Sequence, residues 1–246
     1  RAKDRWKWLT PRMFKDAIKY IKAAGLTSQE LEAYQEKLGE GSYLRWSLEV
    51  YEEYARELNR QGLLDFDDLI GQALRLLKED EGVLARLQDK WTFYFEDEAQ
   101  DSNPLQEEIL KLLSGKSGNL VRVGDSNQAI MGTFTAAEPE IFRRFCRKDG
   151  VQRESISYSS RSTKQIIALA NYLVDWVRED HPQRECRTAL EDLHIVPVDQ
   201  DDPFPNPVVH GYTIGVRGLK NLQEEVSQVA RWAKDHVEKN PDLTTA

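Results

Sequence analysis

Residues 93–106 read FYFEDEAQDSNPLQ and place four carboxylates, Glu96, Asp97, Glu98 and Asp101, within six positions after an aromatic run. Like charges at this spacing repel one another, so the folded chain needs a cation beside them or abundant water. The aromatic segment WTFYFE predicts a short strand that ends in these acids. One interpretation is a Mg²⁺ ligand followed by a carboxylate that activates water. The other is a solvated acidic turn.

Two further polar stretches follow predicted strands. Residues 121–130, VRVGDSNQAI, place Gly124 and Gln128 after a strand, and SYSSRSTKQI places Arg161 just before a helix. The Gln128 amide both donates and accepts hydrogen bonds, so it can sense a phosphate or a metal-bound water. The planar Arg161 guanidinium suits phosphate oxygens. Considered alone, Gly124 and Gln128 are better explained as a polar turn, and Arg161 is better explained as a surface arginine.

The elements around these residues predict an α/β fold. Helices are predicted first, from Thr10–Pro11 to Gly25, from Thr27 with Glu30 as a capping box, and from Ser42 to Gly62. From Asp65, which can cap a helix, helices and short strands then alternate, which is typical of a parallel sheet. The predicted strands cover residues 91–96, 119–125, 151–157 and 208–214; a Pro-rich acidic loop covers 197–207 and a final helix 221–239. Ligands bind such sheets beyond the carboxyl ends of the strands.

Composition bounds the class of protein. The 246 residues are 40% hydrophobic and 31% charged, with a net charge of −8. These values are ordinary for a globular protein and exclude a polycation that coats nucleic acid. No apolar run approaches the roughly 20 residues that span a bilayer, and the first residues lack the apolar core of a signal peptide. Two cysteines, Cys146 and Cys186, favour a reducing cytoplasm.

The first 22 residues are basic, with eight lysines and arginines against two aspartates, and four aromatic residues are interleaved with them. Basic residues mixed with aromatic ones suit tracking and stacking on a single nucleic-acid strand. A helix with a solvated basic face and buried aromatic rings is the alternative interpretation.

Four segments, GLLDFDDLI, FEDEAQDSNPLQ, VGDSNQAI and SSRSTKQIIALAN, occur in the order and spacing of superfamily 1A DNA helicases. The chain resembles the UvrD/Rep/PcrA type over residues 48–175, and more loosely over the helix at 221–239. The resemblance implies a partial RecA-like P-loop NTPase sheet with an N-terminal helical subdomain. It divides the chain into the end of a 1B-like insertion at 1–62, part of motor domain 1A at 63–150 and the start of motor domain 2A at 151–246.

The same resemblance implies an ATP-dependent 3′-to-5′ DNA helicase of the bacterial cytoplasm that uses ATP and Mg²⁺ in DNA repair or replication. Its partners would be single-stranded DNA, junctions of single- and double-stranded DNA and other repair or replication proteins, without a membrane. Asp97 matches the Walker B metal ligand and Glu98 the water-activating carboxylate. Gln128 and Arg161 match residues that approach the γ-phosphate, and the polar positions Gln100 and Asp101 complete the nucleotide site.

The chain departs from the family pattern at several of these segments. Glu96 and Arg122 stand where relatives usually have apolar residues, and we expect the two to pair across adjacent strands. Thr133 and Phe134 fall where a tryptophan and an arginine are expected, so they are candidate DNA contacts, although Phe134 suits a buried core equally well. Ser160 replaces the tyrosine usual before Arg161; Tyr158, two places earlier, is a further candidate contact.

The sequence contains no G-x-x-x-x-G-K-[ST] segment, which in P-loop enzymes binds the β- and γ-phosphates. We therefore expect an internal fragment of a larger helicase that binds nucleotide weakly by itself and is inactive alone. Two alternatives remain: a metal-dependent nuclease built on Asp97, Glu98 and Asp101, and a non-catalytic remnant that binds DNA or a partner.

Overall fold

The computed structural model describes residues 2–130, 136–209 and 214–239, and only the backbone of residues 2–6, 8 and 28. The chain forms two compact units, Arg1–Ser155 with Gln183–Glu191 and Ile156–Pro182 with Asp192–Ala246. The predicted domain boundaries at 62/63 and 150/151 stay predictions. No helix in the described ranges has the length and apolar character required to cross a membrane.

The first unit begins with five helices: α1 (Ala2–Ala24), α2 (Ser28–Lys37), α3 (Tyr43–Gln61), α4 (Phe66–Glu79) and α5 (Glu81–Lys90). The predicted caps are confirmed, because Thr27 and Glu30 bond each other reciprocally, Ser42 caps α3, and Asp65 caps α4. Gly62 ends α3 with φ +65°, a conformation that favours glycine. The predicted start at Thr10–Pro11 is wrong, because α1 begins at Ala2 and continues through Pro11. Pro11 lies inside this helix, and in the sequence an interior proline resembles the first residue of a helix.

A buried lysine joins three of these helices. Lys22 of α1 is 8% exposed, and its Nζ lies 2.7 Å from Asp65 and 2.6 Å from Asp68 at the start of α4. Tyr54 of α3 donates a 2.8 Å hydrogen bond to the same Asp65 carboxylate. Burial raises the pKa of Asp65, but the bonds from Lys22, the Asp68 amide and Tyr54 outweigh it and hold that pKa at about 2. Asp65 therefore caps one helix and ties it to two others.

Two short parallel strands follow, β1 (Tyr94–Glu96) and β2 (Leu120–Arg122), with α6 (Pro104–Ser114) between them and α7 (Pro139–Cys146) after them. This confirms the predicted parallel β–α–β order. Phe95 pairs with Val121 on the exposed face, while Glu96 pairs with Arg122 on the face toward α6 and α7. Side chains alternate between the two faces of a strand, so the register decides which of them are buried.

The second unit contains β3 (Tyr158–Ser159), α8 (Lys164–Glu179), β4 (Val196–Pro197) and α9 (Leu222–Lys239). β3 and β4 are parallel, and Ile167 and Val174 of α8 are buried. The predicted strand at 151–157 is wrong, because the pairing with β4 begins only at Tyr158. Of the predicted strand at 208–214, residues 208, 209 and 214 are irregular and 210–213 lie outside the described residues.

Candidate active site

The turn after β1 exposes Asp97 and Glu98 to solvent. Val123 donates to the Glu96 carbonyl at 2.8 Å, and Ala99 donates to the Val123 carbonyl at 2.9 Å, so the turn is fixed to the end of β2. Glu98 has φ +52° and ψ +41°, left-handed values that are uncommon for a residue with a side chain. Asp97 Oδ1 accepts the Glu98 amide at 2.9 Å. Such strained backbone is concentrated at functional sites, which makes this turn the first candidate.

Gln100 connects the turn after β1 to the turn after β2 through its buried side chain. Its side chain is 1% exposed; Nε2 donates to Glu98 Oε2 at 2.7 Å, and Oε1 accepts the Asp125 amide at 3.0 Å. A Cβ on Gly124 would lie 2.7 Å from Gln100 Oε1, so this position needs glycine for close approach. The buried amide therefore fixes the Glu98 carboxylate relative to the second turn.

The second turn carries Gln128. Asp125 Oδ2 accepts Gln128 Nε2 at 2.8 Å, and Oδ1 of the same carboxylate accepts the Asn127 amide at 2.9 Å. Glu98, Gln100, Asp125 and Gln128 thus form one hydrogen-bonded series across the ends of β1 and β2. The polar residues that the sequence placed after two separate strands lie together at one sheet edge.

Asn127, for which the sequence predicts no role, also holds this second turn in place. Its Nδ2 donates to the Glu191 carbonyl at 3.0 Å, and its Oδ1 accepts the Glu191 amide at 2.8 Å. Arg143 of α7 donates to the Ala189 carbonyl at 2.8 Å in the same returning segment, Gln183–Glu191. The two asparagine bonds join residues 64 positions apart, so no local pattern in the sequence signals them.

The charge crowding of the acidic segment is relieved from inside the protein. Arg122 has a fully buried side chain that pairs with Glu96, as expected, and with Glu107 of α6 at 2.6 Å. Ser102 also donates to Glu96, and the guanidinium lies 5.0 Å from the Phe145 ring centre. Burial raises the pKa of Glu107, but bonds from Lys111 and Arg122 and their charges lower it overall. One of the four carboxylates is therefore part of the core rather than of a metal site.

Asp97 and Asp101 carry oxygen donors of the type that binds Mg²⁺, and their role as ligands stays a prediction. Mg²⁺ usually takes one or two carboxylates, several waters and substrate phosphates rather than a full protein cage. Asp97 is exposed, and only its Oδ1 is used by the Glu98 amide. Asp101 Oδ1 is buried and lacks a hydrogen-bond partner among the described residues. Within the same residues, no three His, Cys, Asp or Glu side chains could hold a metal ion together.

The other predicted site residues lie elsewhere in the chain. Arg161 and Tyr158 belong to the second unit; both are exposed, and Arg161 has no ion-pair or hydrogen-bond partner among the residues described. A shared site with Glu98 therefore stays a prediction. Thr133 and Phe134 lie outside the described residues.

The basic N-terminal stretch keeps both interpretations. Lys7, Arg12 and Lys15 of α1 are exposed. Phe14 is half-buried, with its ring centre 5.7 Å from that of Tyr43, whereas Tyr20 is 47% exposed. One ring thus packs against the protein and another faces solvent.

A family model described as the UvrD/REP helicase N-terminal domain matches residues 3–149. The chain belongs to the UvrD/REP helicase family. The ATP-dependent DNA helicase PcrA of Staphylococcus epidermidis RP62A is 33% identical over 175 residues, covering 70% of this chain and 23% of that protein. PcrA of Staphylococcus aureus Mu50 is 34% identical with the same coverage. This UvrD/REP chain thus spans about a quarter of the length of the curated relatives it matches, and the resemblance found in its motifs is confirmed.

Proposed function

We propose that this UvrD/REP chain is part of an ATP-dependent DNA helicase that couples Mg-ATP hydrolysis to 3′-to-5′ movement on single-stranded DNA and duplex unwinding, in DNA repair or replication. The observation that carries the proposal is the hydrogen-bonded series from Glu98 through Gln100 and Asp125 to Gln128. Residues 63–150 would form part of a RecA-like motor domain 1A, 1–62 the end of a 1B-like insertion, and 151–246 the start of motor domain 2A.

Glu98 is assigned the role of general base toward the attacking water. Gln100 occupies its Oε2, so the other carboxylate oxygen is left to accept the proton. Asp97, next to it, would bind the Mg²⁺ of the nucleotide, and that ion supplies charge stabilisation to the phosphate oxygens. The left-handed backbone at Glu98 presents both acids to solvent at the strand end.

Gln128 and Arg161 are assigned to the γ-phosphate. Asp125 holds the Gln128 amide by Nε2, which leaves its carbonyl oxygen and its second N–H for a water or a phosphate. The exposed guanidinium of Arg161 would approach the same phosphate on closure of the two motor domains, and reopening would move the DNA. Tyr158, Thr133 and Phe134 stay the candidate DNA contacts.

The decisive test is Glu98→Gln in the full-length gene product, measured by DNA-stimulated ATP hydrolysis. Removing a general base lowers kcat by about 10²- to 10⁴-fold. Glu108→Gln is the matched control, because Glu108 lies on α6 and pairs at the surface with Lys78 at 3.1 Å. Full activity of the Glu98→Gln protein would end the assignment.

The alternative is a non-catalytic remnant that binds DNA or a partner protein; the 246 residues given contain no G-x-x-x-x-G-K-[ST] segment. For the same reason the isolated chain should bind Mg-ATP weakly and hydrolyse none. Calorimetric titration of this chain with Mg-ATP measures the affinity, and tight, sub-micromolar binding would contradict the expectation.

A further inference from the structure

Asn206, in a loop that is distant in the sequence, forms hydrogen bonds to the backbone of the segment that carries Arg161. Asn206 is 7% exposed, and its Nδ2 donates to the Ser159 carbonyl at 2.6 Å and to the Ser162 carbonyl at 2.9 Å. These two carbonyls flank Arg161 on both sides. The sequence predicts a surface loop over residues 197–207 and no role for Asn206.

The chemistry of these bonds fixes how the amide is oriented. Both partners of Asn206 are carbonyl oxygens, so its nitrogen must face them, and a flipped amide would place oxygen against oxygen. The remaining Asn206 Oδ1 is buried and finds no hydrogen-bond partner in the described part of the chain. A buried, unsatisfied acceptor is unfavourable, so the two donated bonds must offset that cost.

The neighbours of Asn206 support a fixed geometry. Pro205 and Pro207 flank it, and proline restricts both its own φ and the conformation of the residue before it. On the far side of Arg161, Thr163 is buried and its Oγ1 caps α8 by accepting the Ile166 amide at 3.3 Å. Arg161 therefore lies between two anchored points while its own side chain is exposed.

We propose that Asn206 is a positioning residue for Arg161, holding the backbone of residues 159–162 so that the guanidinium is presented in one direction. This inference rests on the proposed function of Arg161 at the γ-phosphate. A guanidinium that must meet a phosphate during transfer gains rate from being oriented beforehand, and a displacement of about 1 Å can cost about a hundredfold in rate.

The structural half of the proposal is tested on this chain by limited trypsin digestion, with the rate of cleavage after Arg161 measured by mass spectrometry. Asn206→Asp keeps the shape but opposes oxygen to both carbonyls, so cleavage there should rise about tenfold relative to cleavage after Lys116 in the first unit. Asn206→Ser, which can donate only one hydrogen bond, should show a smaller rise and serves if the aspartate variant does not fold.

Asn171→Asp is the matched control for this digestion. Asn171 also holds a loop backbone in the second unit, donating to the Ile195 carbonyl and accepting its amide, both at 2.9 Å. The Asn171→Asp variant should leave the rate of cleavage after Arg161 unchanged. Unchanged cleavage in both Asn206 variants, or an equal rise at all sites, would overturn the proposal.

The functional half is tested by ATP hydrolysis in the full-length gene product. Asn206→Asp should lower kcat about ten- to a hundredfold with little change in KM, and should add nothing when Arg161→Ala is already present. An equal loss on the Arg161→Ala background would show a general structural role and overturn the proposal. If Arg161→Ala itself keeps full activity while cleavage after Arg161 responds to Asn206→Asp, the assigned role of Arg161 fails and the anchoring by Asn206 stands.

Discussion

Glu96 and Arg122 lie directly opposite each other in the parallel ladder of β1 and β2, and their side chains form an ion pair in which Arg122 is fully buried. The pair lies immediately before the exposed acids Asp97 and Glu98, on the opposite face of the strand from Phe95. It removes one carboxylate from the acidic segment and fixes the strand register, because a slip of one strand by one residue would place the two charges on opposite faces.

Loss of Arg122 should be strongly destabilising. Arg122→Leu leaves Glu96 without a cation and Glu107 with Lys111 alone among the described residues, and breaking a buried pair in this way costs about 3–5 kcal/mol. The double variant Glu96→Leu/Arg122→Leu should be closer to the wild type, since hydrophobic replacement of a buried pair is often neutral. Urea unfolding followed by circular dichroism measures both. If Arg122→Leu proves as stable as the wild type, the pairing of Arg122 with these carboxylates is contradicted.

Gly124 should tolerate no side chain. Its Cβ would lie 2.7 Å from Gln100 Oε1 and 3.1 Å from the Ala99 amide nitrogen, so Gly124→Ala should lower the free energy of unfolding by about 1–3 kcal/mol. Gly71→Ala is the control, because nothing lies within 4 Å of the added atom in the middle of α4. It should stabilise the protein by about 0.5–1 kcal/mol. Thermal unfolding measures both free energies of unfolding. If the two variants change that free energy in the same direction, this packing is ruled out.

Stability should depend on acid pH through Asp65. Its pKa in the folded protein is about 2, below the value of about 3.9 in an unfolded chain, so the unfolded state binds more protons between them. The stabilisation of the folded state by Asp65 is complete above the pKa of the unfolded chain, and it is lost as the pH falls through the pKa of the folded protein. The difference in urea midpoint between wild type and Asp65→Asn should therefore shrink on acidification.

Asp67 provides the opposite case on the same helix. Burial, followed by the charge of Asp65, raises the pKa of Asp67, so its charged form opposes folding. As the pH falls, the urea midpoint of the wild type should therefore rise relative to that of Asp67→Asn. The same trend in both variants would mean that general charge repulsion, not these contacts, sets the acid response.

Asn127 should anchor the returning segment Gln183–Glu191. Asn127→Asp keeps the acceptor for the Glu191 amide but loses the bond donated to the Glu191 carbonyl, whereas Asn127→Ala loses both. Hydrogen exchange in residues 183–191 should therefore rise in the order wild type, aspartate, alanine. Exchange that is equal in all three proteins would show that Asn127 does not hold this segment.

The sequence by itself determined the family and the helix caps. Caps at Thr27, Ser42 and Asp65 act over three residues, so their side chains and the backbone they satisfy stand together in the sequence. The motif residues around Glu98 and Gln128 were found in the same way, because each follows a strand that is readable from its own composition.

Only the tertiary structure decided which of these residues meet. The bridge made by Gln100, the second bond of Arg122 to Glu107, and the anchors Asn127 and Asn206 join positions 15 to 64 residues apart. Strand β3 was misplaced for the same reason, since its position depends on pairing with β4, which lies far along the chain. Such contacts depend on how the elements pack, and no local preference of the chain encodes that packing.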